Sequence, residues 1–133
     1  MNLLRGRVEK VEFDHGISHV EVSTHIGTIH SVVLEERGEG AGFIKESSLV
    51  DCFFNETSPV LTQEPIANIN TFDGVVKGLE VGKVLCMVHV EKGETTLKVL
   101  LLKQQVDLLG LSEGKKVFIF LPPWHVALEV VHE

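Results

Sequence analysis

Tyrosine is missing from this 133-residue chain, and tryptophan occurs once, at Trp124, beside seven phenylalanines. Such a composition offers no row of aromatics on which bases could stack. Excess positive charge is missing too: 12 Lys and Arg stand against 19 Asp and Glu, for a net charge of −7, and the cations are scattered. That balance argues against a nucleic-acid partner, since phosphate backbones are held by clustered Lys and Arg. It leaves room for a small anion, because backbone N–H groups and one or two placed cations can hold an oxyanion whatever the total charge. Cysteine occurs only at Cys52 and Cys86, each inside an apolar run and without metal-ligand spacing, so free buried thiols are expected. The opening Met1-Asn2-Leu3-Leu4-Arg5 is charged too soon to target or anchor the chain, so a cytoplasmic protein without a membrane partner is expected, and the acceptor-like Asn55-Glu56-Thr57 carries no meaning there. There is no nucleophile with a neighbouring base, no paired carboxylates and no phosphate loop, so no enzyme is expected. Among the seven histidines, His15, His19, His25 and His30 fall on neighbouring strands or turns but repeat no recognised ligand spacing, so no metal site is expected. His89 and His125 are placed in β segments, and Trp124 in a core or an interface.

What the chain does have is an internal repeat. Asn2, Gly6, Val8, Val11 and Glu12 stand opposite Asn70, Gly74, Val76, Leu79 and Glu80 at a constant offset of 68 residues. Val20 continues the match at Val88 and Ile29 at Leu97; with a one-residue slip, Val50, Phe54 and Leu61 meet Val117, Leu121 and Leu128. Alternation alone would not fix the glycines, so two similar modules in tandem are expected. A module of about 65 residues is near the limit at which one core suffices, so the two should lean on each other or on a second chain.

Alternating apolar residues predict strands over 4–13, 17–22, 28–34, 49–54 and 59–61, with turns at Asp14-His15-Gly16 and His25-Ile26-Gly27. A glycine- and glutamate-rich connector over 35–42 leads into a short helical turn over 43–46. The second set is predicted over 72–79, 83–91, 95–102, 117–121 and 126–131, with a helical turn over 104–109 stopped by Gly110. The fold class is therefore all-β: two tandem OB-like five-stranded barrels, each with a short helical turn. Their bounds are 1–63 and 70–133, joined by a linker over 64–69.

The order Asn70, Phe72, Gly74, Val76, then Leu97-Lys98-Val99, then Leu109-Gly110-Leu111-Ser112-Glu113-Gly114-Lys115-Lys116-Val117 resembles the molbindin or TOBE (Mop-like) module. Phe118-Ile119-Phe120-Leu121-Pro122-Pro123-Trp124 is similar to the segment before that module's last strand. Taken with the weaker copy over 2–61, the chain resembles the double-module unit of stand-alone molbindins and of the molybdate-responsive transcription regulator, without the regulator's DNA-binding head. The resemblance implies binding of molybdate or tungstate at interfaces between modules, usually between chains, in a homo-oligomer such as a dimer or trimer. A tetrahedral dianion is strongly hydrated, and charge-assisted hydrogen bonds are what can replace its water.

The chain departs from the family's pattern at three places. Ala67-Asn68-Ile69-Asn70 stands where members carry Ser-Ala-Arg-Asn; Leu102-Lys103-Gln104-Gln105 stands where a Thr and a Ser often donate; Pro122 stands where a Lys often precedes the last strand. Carried over position by position, the oxyanion set is Asn68, Lys103, Gln104 and Gln105 of the second module, the main-chain N–H of Ile69, and Asn55, Thr57 and Ser58 of the first. Lys103 supplies the charge. The same departures keep a second reading open: a ligand-free oligomerisation or regulatory module partnering a transporter ATPase or a transcription regulator.

Overall fold

The computed structural model describes residues 1–34 and 44–133. Ten strands, one α-helix and one 3₁₀ turn are present among the described residues, in the order β1 (Asn2–Asp14), β2 (Ile17–Thr24), β3 (Gly27–Leu34), β4 (Leu49–Phe54), β5 (Val60–Thr62), β6 (Thr71–Val81), β7 (Leu85–Lys92), β8 (Thr95–Leu102), α1 (Lys103–Leu109), β9 (Lys116–Phe120), the 3₁₀ turn Pro123–His125 and β10 (Ala127–Val130). They form two five-stranded sheets of like order, β10-β4-β1-β2-β3 and β5-β9-β6-β7-β8.

The repeat read from the sequence is a repeat of register. In the first sheet Val8 pairs with Val22 and Lys10 with Glu21, a bulge between them; in the second Val76 pairs with Val90 and Gly78 with His89, with a bulge at the matching place. The one-residue slip is also structural, since Leu128 faces Cys52 where Leu61 faces Ile119. Both repeated glycines mark a close approach of strands. A Cβ on Gly6 would stand 2.3 Å from the Ser23 carbonyl oxygen, and one on Gly74 2.6 Å from Val90 Cγ1. The β1–β2 hairpin closes through His15 and Gly16 at φ 48° and 76°, the left-handed pair that matches the strand twist in a two-residue turn.

The chain packs as two compact units: Leu3–Phe54 with Pro122–Glu133, and Asn55–Leu121 with Met1–Asn2. This differs from contiguous modules at 1–63 and 70–133. The fifth strands are exchanged, so that β10 completes the sheet of β1–β4 and β5 that of β6–β9. The 64–69 segment therefore joins two strands of one sheet, and the chain passes between units at Phe54–Asn55 and Leu121–Pro122. Val60-Leu61-Thr62 and Ala127-Leu128-Glu129 each centre a leucine in a short alternating run, so the local pattern does not say which sheet each completes.

In the first unit Val8, Val20, Val22, Ile29, Val50, Cys52, Phe54 and Val126 are buried; in the second Leu61, Val76, Val88, Val90, Leu97, Val99, Val117, Ile119 and Leu121 are. Each sheet is tied across its open side. The Ser31 hydroxyl donates to the Val126 carbonyl at 2.7 Å, and the Leu100 N–H to the Glu56 carbonyl at 2.8 Å.

The expected helical turns fare differently. The second is α1, ended by Gly110 at φ 61°, whose N–H returns to the Asp107 carbonyl. Of the first, Phe43 and the 35–42 connector lie outside the described residues, while Ile44 and Lys45 are irregular and Glu46-Ser47 form a turn instead of a helix, with Ser47 at φ 72°. His125 closes the 3₁₀ turn and is not in a strand. Trp124 is 71% exposed and so is no part of the core. No described helix is long and apolar enough to cross a membrane.

Candidate oxyanion site

The Asn55–Leu121 unit carries all eight residues named from the sequence, including those expected from the first module. The strand exchange is the cause, because the loop 55–59 leads into β5. That loop lies along β8 through the Glu56–Leu100 bond.

Among several shallow depressions of similar size, the one that gathers residues named from the sequence is a groove of about 390 Å³ at the start of α1, lined by Lys83, Val84, Leu102, Lys103, Gln104 and Asp107. It exists because β7 and β8 pair to their very ends, Leu85 opposite Leu102, and because the Lys103 N–H then donates to the Val84 carbonyl at 2.8 Å. Two lysines and one glutamine thus line a single groove. Lys83 was not expected from the sequence; extending the β7–β8 register two residues past Leu85 would have found it. Asp107 is the opposing element, since its carboxylate pairs with Lys103 Nζ one helical turn away. Lys103 is therefore not an unopposed cation, and the groove's net charge is one positive.

Gln105 does not line the groove. Its Oε1 accepts from the Leu102 N–H at 3.0 Å and so closes the start of the helix. Asn55, Thr57 and Ser58 do not line it either: Asn55 Oδ1 accepts from the Thr57 N–H and hydroxyl, both at 3.2 Å, and the Ser58 N–H donates to the Asn55 carbonyl. Glu56 in the same loop is held by the Met1 ammonium, which keeps its carboxyl below the ordinary range. Asn68 and Ile69 are exposed, and the Ile69 carbonyl accepts the Thr71 hydroxyl at 3.0 Å. Thus Lys103 and Gln104 come together in the groove, and the other six do not join them there.

Asn70 serves architecture. It is buried with φ 49°, its Nδ2 donates to the Leu121 carbonyl at 2.9 Å, and its own carbonyl accepts the Leu121 N–H. Asn2, its repeat partner, is also buried and makes two 2.8 Å bonds to the Lys98 backbone.

Two of the lining side chains are apolar and exposed, Val84 at 68% and Leu102 at 48%. Covering exposed apolar surface of this kind beside charged groups would raise the worth of each charge by excluding water.

The strand pairing also assembles something linear spacing concealed. His19, Glu21 and His30 on β2 and β3 place one donor atom each within 4.8 Å of one another. His19 Nε2 lies 2.8 Å from His30 Nδ1.

A double set of OB-like five-stranded sheets with exchanged fifth strands defines the structural class. The solved structure of the cytoplasmic molybdate-binding protein ModG, with molybdate bound, is similar to this chain at a TM-score of 0.89 and 21% identity, over 98% of this chain and 96% of that one. At that identity the likeness establishes the OB-like double-module fold. No family model matches the chain, and no curated protein sequence matches it significantly.

Proposed function

We propose that this protein is a cytoplasmic, non-enzymatic binder of molybdate or tungstate, acting in storage, homeostasis or sensing. The observation that carries the reading is the near full-length likeness to a molybdate-bound ModG structure, in a chain whose own groove presents Lys83, Lys103 and Gln104 together. Two ammonium groups suit a dianion, and the amide supplies a hydrogen bond that is indifferent to protonation. The exposed apolar side chains of Val84 and Leu102 in the groove support completion of the site by a second copy of the chain, as a homo-oligomer of two or three. Asn55, Thr57, Ser58, Asn68, Gln105 and the Ile69 N–H would enter from such a neighbouring copy, or would be no part of the site.

The second reading, a ligand-free module partnering a transporter ATPase or a transcription regulator, draws on Asp107 in the groove and on the missing family donors. Calorimetric titration with molybdate, tungstate and sulfate separates the two. Saturable heat with the first two and none with sulfate is expected; absence of heat with all three refutes binding. Lys103→Ala should weaken molybdate binding by about 1.5–3 kcal/mol, the scale of one charged hydrogen bond, and unchanged affinity would remove the groove from the proposal.

A further inference from the structure

We infer that His19, His30 and Glu21 form a binding site for a divalent transition-metal ion of the zinc, nickel or copper class, on the outward face of the β1–β2–β3 sheet. The site is made by register. His19 and Glu21 are two residues apart on β2 and so share a face, and Glu21 lies directly opposite His30 on β3. The inward positions between them, Val20 and Ser31, are buried, which fixes the two imidazoles and the carboxylate on the other side.

Three features favour a metal over a mere stitch between strands. Two imidazole nitrogens face each other at 2.8 Å, with ring centroids 5.1 Å apart. Zinc–nitrogen bonds of about 2.0–2.1 Å at a tetrahedral angle separate two nitrogens by about 3.3 Å, so a small rotation of either ring admits an ion in place of the shared proton. The Glu21 carboxylate stands 4.0 Å from His30 Nε2, the ring nitrogen other than the one that meets His19, where it can orient the ring. Its donor oxygen lies within the 4.8 Å cluster, so a side-chain rotation brings it to the ion. Glu12 lies opposite His19 on β1, but its carboxylate is held by Lys10 at 2.7 Å and stands outside the three-residue cluster. Imidazole with carboxylate, and no thiolate or carbonyl cage, selects zinc, nickel and copper over calcium or magnesium.

The second module supplies an internal comparison. At the matching offset of 68 stand Met87, His89 and Lys98, with Glu80 in place of Glu12. One imidazole remains, bonded to Glu80 at 2.8 Å, and a lysine occupies the place of His30. The ligand set is thus peculiar to the first unit and is not a by-product of the fold.

Titrating the full chain with Zn²⁺, in buffer free of chelator and oxyanion, should give one saturable site per chain. Co²⁺ should give the visible absorption bands of a nitrogen- and oxygen-ligated ion at the same stoichiometry. His19→Gln and His30→Gln should each weaken Zn²⁺ by at least about tenfold, and Glu21→Gln, the mildest change, should shift the Co²⁺ bands. His89→Gln should leave affinity and spectrum unchanged. No saturable uptake by the wild-type chain, or equal affinity in His19→Gln and His30→Gln, overturns the inference. Because the titrations contain no oxyanion, their outcome is independent of whether molybdate binds.

Discussion

Replacing Gly6 with alanine tests whether the repeated glycines are demanded by strand approach. A Cβ there would stand 2.3 Å from the Ser23 carbonyl oxygen, 2.7 Å from Val22 Cγ1 and 3.0 Å from Thr24 Cγ2. Ser23 is backbone on the paired strand, so no side-chain rotation relieves the contact. Bringing it to 3.0 Å requires β1 and β2 to part by about 0.7 Å locally, enough to forfeit a ladder bond worth about 1 kcal/mol. Adding the usual cost of overpacking, about 1–3 kcal/mol, gives a loss of roughly 2–4 kcal/mol. Gly74→Ala should cost less, about 1–2 kcal/mol, because its nearest neighbour at 2.6 Å is a valine methyl and the carbonyl of Glu91 is 3.1 Å away. Gly78 meets nothing within 4 Å, so Gly78→Ala should be neutral or stabilising by up to about 1 kcal/mol. Urea unfolding of the three variants, compared at a common slope, provides the measurement. A Gly6→Ala protein as stable as wild type, or a Gly78→Ala protein as damaged as Gly6→Ala, would refute the reasoning.

Two further outcomes follow from buried polar and thiol groups. Asn70→Ala removes a buried 2.9 Å bond to the Leu121 carbonyl at a residue with φ 49°, and should cost about 2–4 kcal/mol in the same assay, the sum of an unsatisfied carbonyl and left-handed backbone strain; a loss below about 0.5 kcal/mol would contradict that role. Burial pushes the Cys52 thiol up to about 12, so iodoacetamide should leave it untouched in the native chain at neutral pH. Deleting residues 126–133 removes β10, which pairs Leu128 with Cys52, and should make Cys52 alkylate while Cys86 stays protected. The reverse pattern would refute the strand exchange.

Much of this architecture was legible in the residues. Gly6 and Gly74 with their flanking valines located both long strands, and Gly110 located the end of α1. The exchange of β5 and β10 was not legible, because Leu61 and Leu128 sit in equivalent alternating triplets, and pattern does not say which open edge each one seeks. Nor was the histidine cluster: His19 and His30 are joined by a hairpin register, which linear ligand spacing does not encode. At the groove, Lys103 and Gln104 were legible through the family resemblance. Asp107 and Lys83 were not, because the first acts from one helical turn away and the second from the turn between β6 and β7.

Asp107 is where the oxyanion reading is most exposed to test. Its carboxylate lines the groove and pairs with Lys103, whose side chain is 35% exposed. A dianion placed between Lys83 and Lys103 must therefore either displace Asp107 from its partner or sit against like charge. Asp107→Asn keeps shape and hydrogen-bonding capacity while removing that charge. At surface-like screening the relief is on the order of 1 kcal/mol, so molybdate affinity should rise by about fivefold, and the rise should shrink in high salt. The helix should survive, since Gly110 and Gln105 still close its ends. If Asp107→Asn instead binds molybdate more weakly than wild type, the carboxylate is orienting Lys103 toward the ligand. If affinity is unchanged at low salt, a field of that size is not reaching the anion, and the site must be sought away from this groove.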